Sequence, residues 1–381
     1  MAVQRESAEG RALRSAEKQT CHDVLVVGGG PAGLATAIEL ARHGFDVVVA
    51  EAHAGPTERY GETLAPETLS RLDRLGLAQA FLAAGHVRCP GTVVRWGRDR
   101  PGCNDFLLHP LGPAWHLDRA RFEAALGARA QECGARLLAS TRFVAAERAT
   151  DRWSARLRGP TGMRTVTVRW LVDSSGPAAA LSRRLGARRT VVDRVVALVR
   201  IDDLVAGTLG AQTFVESTPD GWWYVARLPG ERVVTVFVTD PAMARVLTAH
   251  DWDGWRRALA GTQLFAERLA GLALKARPDT ARYRVRSIRV SRLQPVAGAG
   301  WLAVGDAAAE LDPIAGRGMH DALGDAREAA RAVIAGHPWS VSYEARIHSR
   351  FHDHLIERAA LYGLEQRWPA ARFWQDRPGV A

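Results

Sequence analysis

Lysine is almost missing from this chain: of 51 basic residues only Lys18 and Lys275 are lysines, and the rest are arginine. Metal and disulfide spacings are missing too. The four cysteines, Cys21, Cys89, Cys103 and Cys133, make no Cys-x-x-Cys pair and no Cys/His cluster. Neither a metal site nor a disulfide framework is therefore expected, and free, mostly buried thiols are. No apolar run reaches the ~18 residues of a membrane span. The first 20 residues are polar and lack the apolar stretch of a secretory signal, so a flexible tail over 1–20 and a cytoplasmic location are the expectations. The formal net charge of +10 would suit a nucleic-acid binder, but the arginines are scattered and interleaved with acids, and no nucleic-acid or membrane partner is expected. Arg282, Arg284 and Arg286 are the exception. They alternate along an expected strand and so share a face, with Arg289 and Arg292 soon after. Such a stripe meets an anionic partner or cofactor phosphate, or else it is a solvated strand face.

What is present is a phosphate cradle. Across 381 residues, 47% hydrophobic, there is apolar material for more than one 150-residue module. Asp23-Val-Leu-Val-Val27 reads as a short buried strand and runs straight into Gly28-Gly29-Gly30-Pro31-Ala32-Gly33. A helix follows, stopped by Gly44, and a second strand from Phe45 to Ala50 ends in Glu51. Gly28 permits the tight turn, Gly30 lets a pyrophosphate approach the backbone, and Gly33 lets helix and strand pack closely. The helix start faces the phosphates, and Glu51 is placed to accept hydrogen bonds from a ribose diol. A bare GxGxxG carries little weight, whereas strand, glycines, helix, strand and acid in register carry much. By itself the unit binds either NAD or FAD.

The far end of the chain decides between them. Trp301-Leu-Ala-Val304 reads as another buried strand, leading into Gly305-Asp306, then Asp312-Pro313-Ile314-Ala315-Gly316-Arg317-Gly318 and a helix near Met319. This string resembles the FAD-dependent monooxygenases built like para-hydroxybenzoate hydroxylase. The resemblance implies that Gly305 and Asp306 hold the ribityl chain of FAD. It also implies that Pro313, Gly316, Arg317 and Gly318 lie along the flavin pyrimidine edge, where backbone N–H groups meet the charge of reduced flavin. Asp173 in Val172-Asp-Ser-Ser-Gly176, Arg119 in Trp115-His-Leu-Asp-Arg119, and Arg59 in Arg59-Tyr-Gly-Glu-Thr-Leu64 resemble the family's other cofactor segments. Together they cover residues 23–335 in order.

Further strings, GETLAPETLSRLDRLGL, CPGTVVRWG and NDFLLHPLGPAWHLDRARF, resemble the tryptophan-halogenase-like branch, which includes flavoproteins that mature tryptophylquinone-type oxidases. The halogenase lysine would fall at about Cys89, and neither lysine of this chain is near in sequence. The Trp-x-Trp-x-Ile-Pro string is replaced by Gly221-Trp222-Trp223-Tyr224-Val-Ala-Arg-Leu-Pro229, so halogenation is disfavoured. Between about 191 and 290, period-two runs read as an antiparallel sheet. Two of Trp222, Trp223 and Tyr224 share a face of it, and these three with His116 are the candidates for a substrate pocket or for plain core packing. No acid or base is assigned.

The resulting expectation is an α/β protein: a Rossmann-like FAD domain (21–85, 115–190 and 291–340) interleaved with an antiparallel-sheet substrate domain (86–114 and 191–290), then a C-terminal helical segment (341–381). The resemblance implies hydroxylation of an electron-rich aromatic ring through a flavin C4a-hydroperoxide. That ring is an indole or phenol in a small molecule or in a peptide or protein. NAD(P)H or a separate flavin reductase would supply electrons. The alternatives are an FAD reductase or dehydrogenase without oxygen insertion, and a non-catalytic flavin-binding maturation scaffold.

Overall fold

The computed structural model describes residues 20–55, 63–106, 108–204, 209–249, 251–265, 284–336 and 340–377. Residues 1–19 of the expected tail, Arg59 with residues 60–62 of its segment, Arg282 and both lysines lie outside the described residues. The fold is mixed α/β.

Val24–Val27 has no exposed residue, as a strand covered on both faces must be. It lies near the middle of a six-stranded sheet ordered Ala297–Gly298, Trp301–Ala303, Trp170–Asp173, Val24–Val27, Val47–Ala50 and Arg136–Leu138. Every pairing but the first is parallel. Parallel neighbours need a crossover, and helix Pro31–Arg42 makes the one between Val24–Val27 and Val47–Ala50. Its buried Leu34, Ile38 and Leu40 join one core with helices Arg119–Glu132 and Gly318–Ala335. A four-stranded side sheet combines the antiparallel meander Arg142–Ala149, Arg152–Gly159 and Gly162–Val168 with Thr20–Cys21.

The alternating runs all enter a second large sheet. Its eight strands are ordered Ala309–Glu310, Arg284–Gln294, Arg188–Asp203, Arg232–Thr239, Gly221–Leu228, Thr213–Thr218, Gly91–Arg95 and Gly102–Asp105. It is antiparallel with one exception. Thr213–Thr218 pairs parallel with Gly91–Arg95, two strands from distant parts of the chain that no hairpin links. The alternation sorts side chains by face. Trp223, Val225, Val233 and Phe237 point to one side, with Ala244 of helix Pro241–Ala249 and Trp255 of helix Asp251–Ala260. Trp222, Ala226, Val234 and Val238 point to the other, with Tyr362, Phe373 and Trp374 from the C-terminal segment.

That segment, helix Ser340–Gly363 and the short Arg372–Gln375, is tied to the sheet by directional bonds. Trp96 Nε1 donates to the Leu361 carbonyl (2.8 Å), the Gly97 N–H to Glu365 (2.8 Å) and Trp374 Nε1 to the Thr218 carbonyl (2.9 Å). All four cysteines are free, but the expectation of mostly buried thiols needs correction. Cys89 is buried and Cys133 half-buried, whereas Cys21 and Cys103 lie exposed on strands at sheet edges. No helix among the described residues is long and apolar enough to cross a membrane.

Candidate flavin site

A cavity of about 1500 Å³ opens where the parallel strands end, lined by Val27, Ala50 and Val304 among others. Ligands of open α/β sheets bind at this end. The volume exceeds the roughly 300–1,000 Å³ of a drug-sized pocket, so a dinucleotide and a second molecule fit together.

The glycine turn forms one wall through Gly28, Gly30, Pro31 and Ala32. Gly28 has φ +112°, and a Cβ there would lie 2.3 Å from the Ser174 carbonyl oxygen, so only glycine leaves this cradle open. Gly33 stands behind the wall, where a Cβ would lie 2.2 Å from the Gly28 oxygen. Helix Pro31–Arg42 starts at Gly30 with no capping side chain and no acid in its first turn. Its orphan N–H groups and positive end are thus left for an anion. Glu51 lines the cavity, its Oε2 accepting the Gly29 N–H (2.6 Å) and its Oε1 the His53 N–H (2.9 Å). A carboxylate at this place is the acceptor that a ribose diol needs. These features fit the adenosine diphosphate half of FAD.

Asp306, Pro313, Gly316, Arg317 and Gly318, from the far end of the chain, also line the cavity, as does Arg119, whose guanidinium is held by Glu123 at 2.5 Å. Asp306 pairs with Arg286 at 3.3 Å, and Arg189 reaches behind it to the carbonyls of Asp306 (2.6 Å) and Ala307 (2.9 Å). Arg289 Nε lies 3.7 Å from Glu310. Two members of the arginine stripe, Arg286 and Arg289, therefore have internal acids as partners. Sequence reasoning missed Glu310 and His354, both buried and both in the cavity lining. A carboxylate inside the apolar run Ala307-Ala-Ala-Glu-Leu311 was the available signal for Glu310. Nothing in the helical pattern around His354 distinguished it.

Four more expected residues, Asp173, Gly305, Trp223 and His116, are not in the cavity wall. Asp173 is fully buried and absent from the cavity wall. Its carboxylate instead accepts from Ser175 N–H (3.0 Å), Ser175 Oγ (2.6 Å), Leu181 N–H (3.1 Å) and Ser182 N–H (2.7 Å). It shapes the turn whose Ser174, Ser175, Gly176 and Pro177 do line the cavity. Gly305 is likewise buried beneath Asp306 and outside the wall. Trp222 and Tyr224 line the roof, but Trp223 lies on the reverse face, stacked on Phe237 with ring centroids 4.5 Å apart. His116 is one layer back, its Nε2 2.7 Å from Oγ1 of Thr213, which does line the cavity. Burial pushes the His116 ring down to about 4, so it is neutral and structural.

Residues 21–337 match the family model described as an FAD binding domain. LodB of Marinomonas mediterranea, named as an FAD-dependent oxidoreductase, is 28% identical over 366 residues, 93% of this chain and 96% of LodB. Among solved structures, the myxobacterial chondrochloren halogenase CndH superposes with a TM-score of 0.83 at 24% identity, over 95% of this chain and 86% of its own. The peptidyl tryptophan dihydroxylase QhpG superposes with a TM-score of 0.72 at 25% identity, over 94% and 80%. The match along 21–337, on the same glycine turn and far-end segment that build the cavity, means that the chain belongs to the FAD-binding domain family and is an FAD-dependent oxidoreductase.

Proposed function

We propose that this protein is a monooxygenase that hydroxylates an electron-rich aromatic ring. The observation that carries this reading is one cavity in which the turn bearing Gly316 and Gly318 meets a largely apolar roof of Val199, Val215, Trp222, Tyr224, Val236 and Val238. Bound FAD, once reduced, supplies the activation of molecular oxygen. The chain's own residues do the rest. The glycine turn and Glu51 would hold the dinucleotide, and Asp306 would hold the chain that leads to the ring. The Gly316 N–H is spent on the Pro313 carbonyl at 2.9 Å, so the backbone N–H groups of Arg317 and Gly318 would meet the negative charge of the reduced ring. The roof keeps water away and orients the aromatic substrate.

Halogenation is the rival raised by the relatives. At the place expected for a halogen-carrying lysine stands Cys89, a buried thiol donating to the Gly91 carbonyl at 3.2 Å. It offers no ammonium to hold a hypohalous acid, which favours hydroxylation. The likeness to QhpG across 94% of the chain supports a tryptophan within a polypeptide as the substrate. Electrons come from NAD(P)H or from a separate flavin reductase. For the first, a hollow of about 450 Å³ lined by Arg183, Arg188, Arg194 and Arg289, with Arg189 linking it to the Asp306 turn, suits a dinucleotide diphosphate. Turnover under ¹⁸O-labelled oxygen with mass spectrometry of the product is the test. Product heavier by one or two labelled oxygens is expected; an oxidised product without label would assign the protein to dehydrogenation.

A further inference from the structure

The groups that hold the flavin-facing turn come from a helix beyond the family-matched stretch of 21–337. Asp312 opens the turn, and its side chain has no exposed surface. Its Oδ1 accepts the Ile314 N–H at 3.1 Å, and its Oδ2 accepts from Arg358 Nε at 2.8 Å and from the Tyr362 hydroxyl at 3.2 Å. Arg358 continues to Asp193, which also pairs with Arg377 Nε at 2.8 Å. On the backbone side, the Asp312 N–H donates to His354 Nε2 at 3.0 Å.

That last bond fixes the state of the ring. A backbone N–H can only donate, so Nε2 must present a lone pair, and the neutral imidazole carries its proton on Nδ1. His354 is 6% exposed and lines the cavity. The charged groups around it are Asp312 on the turn, Asp321 on helix Gly318–Ala335, and Arg350 and Arg358 on its own helix. Burial is the largest influence and, with the two arginines, outweighs both acids, so the ring is held below its ordinary 6.5.

We propose that His354, together with Arg358 and Tyr362, is a positioning clamp on the flavin turn, and that the clamp is complete only while His354 is neutral. Protonation places a hydrogen on Nε2, facing the Asp312 N–H. Two donors then oppose each other in a buried place, and the turn loses its backbone anchor. The turn beyond Asp312 is the one that carries Pro313, Gly316 and Gly318. Flavin affinity should therefore weaken on acidification. The clamp rests on the flavin site and not on the oxygen chemistry, so the two readings stand or fall by separate experiments.

Titration of the apo-protein with FAD across the pH range in which histidine ionises provides the test. The wild type should lose about tenfold in affinity on the acid side, the scale of one buried hydrogen bond left unmade. His354→Gln keeps an acceptor oxygen but cannot titrate. It should match the wild type at neutral pH and lose the acid-side decline attributable to this ring. His354→Phe removes the acceptor and should bind FAD more weakly at every pH. Nitrogen-15 spectra of the wild-type apo-protein, with His354→Gln for assignment, should show this ring with Nδ1 protonated and Nε2 bare. An Nε2-protonated neutral ring, or an unchanged acid-side decline in His354→Gln, overturns the proposal. The spectrum decides the matter alone should the variants fail to fold, assignment then coming from the backbone.

Discussion

Glu310 is 2% exposed, neither of its carboxylate oxygens makes a hydrogen bond, and it lines the flavin cavity. Burial is the main influence on its ionisation and Asp306 adds to it. Arg189, Arg286 and Arg289 only partly offset these, leaving the carboxyl at about 7 against an ordinary 4.5. Because the folded state holds this proton more tightly than the unfolded chain, folding is penalised progressively as pH rises from about 4.5 through 7, and fully above that. Glu310→Gln imitates the protonated form. The apo-variant should thus be more stable than the wild type by on the order of 2–3 kcal/mol near pH 8 and equal to it near pH 4, as read by urea unfolding. A gain of the same size at both pH values would show packing rather than ionisation at work. At this scale the residues legible in the sequence were those with a positional signature, the glycines, Glu51 and Asp306. Glu310 and His354 owe their character to burial, which one-dimensional order does not state.

The strand–turn–helix unit from Val24 to Arg42 was readable because its constraints are local. A four-residue apolar strand, a glycine turn and an uncapped helix start follow one another within 19 residues. Gly33→Ala tests how closely these parts are fitted. The added methyl would meet the Gly28 oxygen at 2.2 Å and Ser174 Oγ at 2.4 Å, and the first of these is backbone. Overpacking of this kind costs about 1–3 kcal/mol. We expect FAD affinity, followed by quenching of flavin fluorescence, to fall roughly tenfold to a hundredfold. Wild-type affinity in this variant would mean that the turn has room to retreat. The element readings that needed correction involved partners far along the chain. Alternation assigned Trp222 and Trp223 to opposite faces, but could not say which face held the cavity and which met Phe237 and Trp255.

On the scale of the molecule, the flavin cavity lies between the six-stranded sheet and the inner face of the eight-stranded one, and the C-terminal segment closes it from a third side. Asp353, His354 and Glu357 of that segment line the cavity, while Tyr362, Phe373 and Trp374 cover the sheet face around Trp222. A chain ending at Gly336 keeps nearly all of the family-matched stretch but uncovers this aromatic cluster. Each large aromatic contributes about 3–5 kcal/mol, against a total stability of about 5–15. The truncated chain should therefore lose its cooperative thermal transition by circular dichroism; a sharp wild-type-like melt would show that the segment is dispensable for folding. By itself the sequence determined the α/β class, the phosphate cradle and the FAD-type far-end segment, because each is written in neighbouring residues whose backbone and helix-end chemistry act locally. Only the tertiary structure decided that Trp222 and Tyr224 roof the cavity, that His116 and Asp173 stand behind its wall, and that a distant helix grips Asp312. Those outcomes depend on which surfaces exclude water when separate segments pack, and that is a property of the folded whole.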